Sequence, residues 1–288
     1  MDNANIEIKF LTQLNSLDKS EGADNVGHDR IVQFMDSFNF RQHVIIIFEH
    51  LHMNLYKYIS LNKKRKPIFD KALLKRVSYQ IIQGLKYMKN KQVIHCDMKP
   101  ENIIFTDQKC QNIKIIDFGA SCKDWNSGFF YVQSRYYRAP EIVLGLPYDH
   151  AADMWSLGCI IYELITGRPI FPAKDENELL EFFTITIGNL PEPMIINGKN
   201  FKKFYKKTTS IFGSTSYDLI RSKKTIIGSK LKERSEPVRH LLKNFAVDED
   251  IMDFIEKCLV YDVECRITPH DALFHQWFYV QQPARPKA

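Results

Sequence analysis

Two short motifs constrain the fold of this chain more than any other part of its sequence. The first, H-C-D-M-K-P-E-N, covers residues 95–102, and the second, D-F-G, covers residues 117–119. Between them lie two apolar runs, Ile103–Phe105 and Ile113–Ile116, separated by a polar turn at Thr106–Lys109. This pattern predicts a small β-hairpin. Because the outer ends of a hairpin lie side by side, we expect the two motifs to meet there.

The residue types in these motifs fit the transfer of a phosphoryl group. Such a transfer needs a base for the incoming hydroxyl group and divalent ions that neutralise the phosphates. We expect Asp97 to be the base and Lys99 to steady the transferring group, with Asn102 and Asp117 holding two metal ions. A lone D-F-G would be weak evidence, and the simpler interpretation is a solvated surface turn. Both motifs at hairpin spacing favour the phosphoryl-transfer site.

The composition is that of an ordinary globular protein and excludes several other classes. The chain has 288 residues, 44% of them hydrophobic, which is enough for a sizeable core. Its net charge of +6 suits an acidic ligand such as a nucleotide. No nucleic-acid-binding motif accompanies the lysine clusters, so we expect no nucleic-acid partner. The apolar run 155–165 is too short to span a bilayer, so we expect no membrane partner.

The cysteines and the first residues point to the inside of a cell. The six cysteines show no C-x-x-C or metal-ligand spacing, which favours reduced thiols. The N-terminal stretch is polar and lacks the apolar segment of a secretion signal. We therefore expect a cytoplasmic location, a nuclear one, or both. The basic run 63–67 resembles a nuclear-import signal, although a solvated loop tip is the simpler interpretation.

The hydrophobic pattern predicts a mixed α+β chain without internal repeats. Helical or alternating spacing predicts the following elements: helices at 3–14, 54–62, 70–90, 248–260 and 269–274, and strands at 31–38 and 44–48. The region from about 188 to 243 is richer in Lys, Ser and Gly and is interpreted as an insert of loops and short helices. It is either solvated surface or a docking surface for partners.

The residues that follow D-F-G resemble those of one protein family. Residues 131–141 read Y-V-Q-S-R-Y-Y-R-A-P-E, and the A-P-E lies at the distance from D-F-G that is expected of an activation segment. Cys96 stands where most protein kinases have arginine. With these motifs the chain resembles the dual-specificity tyrosine-regulated kinases, the DYRK family of the CMGC group, from about residue 3 to Phe278.

The resemblance implies a protein-kinase-like α+β fold and a matching function. The fold would have a complete, mainly helical C-lobe at 52–278, including the insert, a partial N-lobe at 1–51 and a tail at 279–288. The function would be that of a Ser/Thr kinase that uses ATP and Mg²⁺. Its partners would be protein substrates with Ser or Thr near Pro and Arg, and Glu101 is a candidate for contacting that Arg. No oligomeric state follows from the sequence.

Nucleotide-binding roles follow from the same resemblance. Glu7 is similar to the helix Glu that pairs with a strand Lys holding the α- and β-phosphates. Phe48 resembles the gatekeeper, Glu49 and Leu51 resemble the hinge residues that meet adenine, and Ile104 resembles the apolar floor beneath it.

Tyr131 matches the tyrosine that such kinases phosphorylate on themselves. A phosphotyrosine carries nearly two negative charges and needs guanidinium partners, for which Arg135 and Arg138 lie close by in sequence. The alternative for Tyr131 is a packed aromatic side chain. The family usually has Tyr-x-Tyr here, and Phe129 removes the first hydroxyl group.

Three further residues are expected to be structural. Asp153 resembles the Asp whose carboxylate ties its helix to the backbone of the catalytic loop. Glu141, in A-P-E, is expected to pair with Arg266, because a buried carboxylate needs a charged partner.

The chain contains neither a G-x-G-x-x-G loop before the Glu7 helix nor a V-A-x-K strand. We therefore expect Glu7 to be an orphan residue that lacks the lysine of its usual ion pair. Lys9 cannot replace that lysine, because it lies on the same helix as Glu7. We expect a fragment or truncated gene model in preference to a natural short form. The alternative function is a catalytically impaired pseudokinase or binding module.

Overall fold

The computed structural model describes residues 3–16, 25–65, 67–123, 132–209, 215–220 and 237–279. Within these ranges, helices account for most of the regular structure, and strands occur as three antiparallel hairpins. The predicted α+β class is confirmed. No helix in the described ranges is both long enough and apolar enough to cross a membrane.

The first part of the chain consists of helix α1 (Asn3–Asn15) and a hairpin of β1 (Phe34–Phe40) and β2 (His43–Phe48). Strand β1 begins at Phe34, later than the predicted residue 31. The reason is that Ile31 forms a parallel bridge with Ile115. The chain is therefore attached to the middle of the molecule before it turns into the hairpin.

Two helices follow, and each begins at a side chain that caps it. Asn54 accepts a hydrogen bond from the N–H of Lys57 at the start of α2 (Leu55–Asn62). Asp70, the predicted N-cap, accepts one from Leu73 at 2.8 Å at the start of α3 (Lys71–Asn90). Such caps each contribute about 1 kcal/mol. The apolar face of α3 lies in the core, as its spacing predicts.

The predicted central hairpin is present and rests on α3. Strand β3 (Ile103–Phe105) pairs with β4 (Ile113–Ile115). The buried side chain of Gln80 on α3 donates to the carbonyl oxygen of Gln111 at 2.8 Å and accepts from the N–H of Ile113 at 3.0 Å. At Gly84 an added Cβ would lie 2.6 Å from the Ile115 side chain, so the helix and the strand approach as closely as a glycine permits.

The rest of the chain contains one long helix that is almost entirely buried. After α4 (Pro140–Leu144), helix α5 (Ala151–Thr166) is buried from Ala152 to Ile165, which is the pattern of a core helix. The remaining helices are α6 (Glu176–Thr186), α7 (Glu192–Asn197), α8 (Phe201–Phe204), α9 (Val238–Leu242), α10 (Glu249–Cys258) and α11 (Pro269–Leu273). Of these, α10 packs directly against α5.

The insert contains a hairpin that the sequence interpretation misses. Strand β5 (Tyr205–Thr209) pairs with β6 (Thr215–Leu219). The sequence predicts loops and short helices here. It misses the hairpin because Lys206 to Thr209 are all exposed and show no apolar alternation.

A buried ion pair joins α4 to the segment that precedes α11. The guanidinium group of Arg266 donates to both carboxylate oxygens of Glu141, at 2.7 and 2.9 Å, and both side chains are at most 1% exposed. Arg266 also donates to the carbonyl oxygens of Val260 and Ala151. The ion pair that the sequence predicts is therefore present, and each nitrogen atom of the Arg266 guanidinium group donates a hydrogen bond.

We expect Arg266→Met to lower the free energy of unfolding by about 3–5 kcal/mol, because it leaves the Glu141 carboxylate buried without its partner. Denaturant unfolding measures this loss. Arg239→Met, which removes exposed pairs with Glu249 and Glu256, is the matched control and should change the midpoint only slightly. An equal loss in both variants would contradict this account.

Candidate active site

The loop at residues 95–97 is anchored by one buried carboxylate. Asp153, 2% exposed on α5, accepts hydrogen bonds from the N–H groups of His95 at 2.8 Å and Cys96 at 3.1 Å. Burial raises the pKa of Asp153, and the interactions with His95 and the two N–H donors oppose this rise. Cys96 has φ of 62°, which costs a non-glycine residue about 1–2 kcal/mol. The two bonds offset this strain.

His95 links the loop to the D-F-G turn. Its Nδ1 accepts from the N–H of Asp97 at 3.1 Å, so Nε2 carries the proton and donates to the carbonyl oxygen of Ile116 at 2.9 Å. The N–H of Ile116 donates to the carbonyl oxygen of Asn102 at 3.0 Å. The predicted meeting of the two motifs at one end of the hairpin therefore occurs through these bonds.

Asp97 and Lys99 form a compact group with a third residue, Ser134. Lys99 Nζ lies 2.6 Å from one carboxylate oxygen of Asp97. The other oxygen accepts from the Ser134 hydroxyl at 2.8 Å and from its N–H at 3.1 Å. Lys99 also donates to the Ser134 hydroxyl at 3.2 Å. Ser134 was not predicted, although it stands in the activation segment, because no sequence spacing shows that this segment returns to Asp97.

Asn102 and Asp117 present the oxygen atoms that a magnesium ion accepts. The Asn102 amide nitrogen donates to the backbone carbonyl of Asp97 at 2.9 Å, which leaves its side-chain oxygen for a cation. Asp117 is exposed, with φ of 66°. The described ranges contain no cluster of three or more His, Cys, Asp or Glu residues suited to a metal ion. Each of these two residues would therefore hold its metal ion together with phosphate oxygens or water, as Mg²⁺ sites commonly do.

The residues predicted to bind a nucleotide come together around one cavity of about 470 Å³. Its walls are mainly apolar, with carboxylates at the edge, which is typical of a small-molecule site. The lining comprises the six predicted residues Glu7, Phe48, Glu49, Leu51, Ile104 and Asp117, together with Val32, His50 and Ile116, which were not predicted.

Glu7 projects from α1 to this cavity beside the D-F-G turn. Burial raises the pKa of Glu7, and the negative charge of Asp117 raises it further, whereas a hydrogen bond from the N–H of Phe118 lowers it. Among the described residues, no Lys or Arg forms an ion pair with Glu7. Among these residues, the Glu7 carboxylate is therefore bound by the backbone N–H group of Phe118 and not by a cation.

The two arginines assigned to a phosphate differ in their surroundings, and Tyr131 itself lies outside the described residues. Arg138 is 3% exposed, pairs with Glu176 at 3.1 Å and donates to the carbonyl oxygen of Gln133. Arg135 donates to the carbonyl oxygen of Lys174, and its buried Nε has no hydrogen-bond partner among the described residues. Arg135 is therefore the side chain with an open donor.

A second groove, of about 580 Å³, adjoins Lys99 and Ser134 and contains two carboxylates. Glu101 Oε2 is buried and has no hydrogen-bond partner in the described part of the chain. Glu163 accepts from the hydroxyl group of Tyr137 at 2.7 Å. Burial, with a smaller contribution from Glu101, raises the pKa of Glu163 to about 7. Glu163 was not predicted, because it lies within an apolar helix far from either motif.

Comparison with known proteins finds a matching family and related sequences over most of the chain. The family description "Protein kinase domain" matches residues 12–278. The chain is 37% identical to the dual specificity tyrosine-phosphorylation-regulated kinase mbk-2 of Caenorhabditis elegans over 284 residues, which is 96% of this chain and 34% of that protein. It is 35% identical to the human dual specificity tyrosine-phosphorylation-regulated kinase 4 over 285 residues, 98% of this chain and 51% of that protein. The chain thus spans about a third to a half of these relatives.

We expect Asp153→Asn to lower the free energy of unfolding by about 1–3 kcal/mol, because an amide places an NH₂ group against one of the two N–H donors. Urea unfolding measures the change. Asp149→Asn is the matched control, since the exposed Asp149 accepts a single bond, from Ala151, that Asn can also accept. Equal stability of Asp153→Asn and the wild type would contradict the anchoring role.

Proposed function

The chain belongs to the protein kinase family and is a DYRK-type kinase, and on that premise we propose that it transfers the γ-phosphate of ATP to Ser and Thr hydroxyl groups of proteins. The arrangement of Asp97, Lys99 and Ser134 carries this proposal. It joins a carboxylate, a cation and a hydroxyl group beside a cavity of nucleotide size.

Each residue of the group has a step to perform. The Asp97 carboxylate would accept the proton of the attacking hydroxyl group as a general base. The Lys99 ammonium group would stabilise charge on the transferring phosphate. Ser134 holds the Asp97 carboxylate in one orientation. Asn102 and Asp117 would hold Mg²⁺, which supplies charge neutralisation when it is bound.

The cavity supports the proposal that adenine binds between Phe48, Leu51 and Ile104. These three residues give the cavity apolar walls, which suit a flat aromatic base. The alternative of a binding module without catalysis is not favoured, because no such function needs the set of catalytic and metal-binding side chains described above.

We extend the proposal to a tyrosine that the kinase phosphorylates on itself, Tyr131. The open donor of Arg135 supports this step, because a phosphate in the same segment would supply an acceptor. Arg138 would have to share its charge between the phosphate and Glu176.

The second groove supports a preference for substrates that carry arginine. A guanidinium group between Glu101 and Glu163 would satisfy the buried Glu101 oxygen and neutralise two neighbouring carboxylates. Proline beside the acceptor is part of the same proposal, by resemblance to the family. A cytoplasmic or nuclear location is also proposed. It is supported by the six cysteines, all within the described residues, which form no disulfide bond.

We expect Asp97→Asn to lower phosphate incorporation by on the order of 10²–10⁴, because the amide cannot take up the substrate proton. Incorporation is measured on a protein substrate and on the kinase itself, and mass spectrometry should find phosphate on Tyr131 in the wild type only. The matched control, Asp107→Asn, changes an exposed turn residue and should leave the rate unaltered. Equal incorporation in Asp97→Asn and the wild type would refute the role of Asp97.

We expect the preference for arginine-containing peptides to weaken as pH falls from 8 to 6. The pKa of Glu163 is about 7 in the empty groove, so a growing fraction of its carboxyl groups loses its negative charge below that pH. The measurement is the ratio of kcat/KM for a peptide with Arg to that for the same peptide with Met. Glu163→Gln should reduce this ratio and flatten its pH profile, whereas the exposed Glu264→Gln should not. An unchanged profile in Glu163→Gln would argue against the groove.

A further inference from the structure

An ion pair beside the nucleotide cavity has no role in the function proposed so far. The ammonium group of Lys114 on β4 pairs with the carboxylate of Glu49, at the end of β2. Their side chains are only 17% and 23% exposed, so water screens this pair less than a pair on the open surface. Glu49 lines the cavity, whereas Lys114 does not.

The Glu49 side of the pair is connected to helix α1 through Gln33. The N–H of Gln33 donates to the Glu49 carboxylate at 2.6 Å, and the N–H of Glu49 donates to the carbonyl oxygen of Gln33 at 3.1 Å. Asn15, the last residue of α1, binds both neighbours of Gln33: it accepts from Phe34 at 3.1 Å and donates to Val32 at 3.2 Å. The position of Glu49 is thus coupled to the helix that carries Glu7.

The Lys114 side of the pair is connected to the floor of the cavity. Lys114 is the direct cross-strand partner of Ile104, so both side chains stand on the same face of the hairpin. Ile104 lines the cavity. Lys114 also precedes Asp117 by three positions on the strand that leads into the D-F-G turn. The ion pair therefore spans the cavity edge, from the segment beside the base to the strand beneath it.

We propose that Lys114 is a positioning residue for nucleotide binding. It holds the Glu49 carboxylate and thereby fixes the segment at residues 49–51 against the floor strand. It also neutralises a negative charge at a cavity that already contains the carboxylates of Glu7 and Asp117 and must accept an anionic nucleotide. This inference rests on the proposed binding of ATP in the cavity.

The geometric and electrostatic effects of Lys114 can be separated with two ligands. Loss of the geometric effect weakens the binding of neutral adenosine and of Mg²⁺-ADP equally. Loss of the electrostatic effect weakens Mg²⁺-ADP more, because only that ligand carries phosphates. Lys114→Met removes both effects, whereas Lys114→Arg retains the charge and can still pair with Glu49.

The test is a double-mutant cycle on the purified chain, with dissociation constants measured by calorimetry. We expect Lys114→Met to weaken Mg²⁺-ADP binding by about three- to tenfold and Lys114→Arg by less than about twofold. Glu49→Gln keeps the acceptor for Gln33 and removes the pair, so the double variant should bind no more weakly than Lys114→Met alone. In phosphotransfer assays, KM for ATP should rise while kcat stays nearly constant.

Lys71→Met is the matched control, because it removes an exposed ion pair with Asp248 and does not line the cavity. It should leave both dissociation constants unchanged. Wild-type affinity in Lys114→Met, or additive effects of Lys114→Met and Glu49→Gln, would overturn the inference.

A wild type that binds neither ligand would refute the proposed nucleotide site and leave the positioning role testable by itself. Hydrogen exchange at the backbone amides of residues 49–52 should be faster in Lys114→Met than in the wild type and Lys71→Met. Identical exchange in the three proteins would overturn the positioning role whatever the ligand data show.

Discussion

The buried carboxylate of Asp153 is the interaction on which the geometry of the site depends. It lies on α5, which is buried from Ala152 to Ile165, and accepts hydrogen bonds from the N–H groups of His95 and Cys96. Because Cys96 has a strained backbone and Asp97 follows it directly, these two bonds set where the proposed base stands. His95 then carries the constraint to the D-F-G turn through Ile116.

Paired charges connect the remaining segments to this centre. Arg266 and Glu141 join the end of the activation segment to the last part of the chain, and Arg138 pairs with Glu176 at the start of α6. A buried charge that loses its partner costs several kcal/mol, so each of these contacts depends on both residues. Lys114 and Glu49 form a further, partly exposed ion pair at the edge of the proposed nucleotide cavity.

Most of the local structure could be predicted from the sequence. The cap at Asp70, the apolar face of α3 and the hairpin at 103–115 follow from spacing within a few residues. The hairpin of β5 and β6 could not be predicted, because its exposed lysines and threonines show no apolar alternation. Ser134 and Glu163 could not be assigned to the site either, since no local pattern relates them to Asp97 or Glu101.

The sequence by itself determined the chemistry that is present: a candidate base, a cation and two candidate metal ligands. Tertiary structure decided which groups meet and how they titrate. It brought Ser134 to Asp97, buried Glu163 until its pKa rose to about 7, and placed Lys114 against Glu49. The physical reason is that spacing along a helix or a hairpin is a local property, whereas distances and burial between remote residues depend on how the whole core packs.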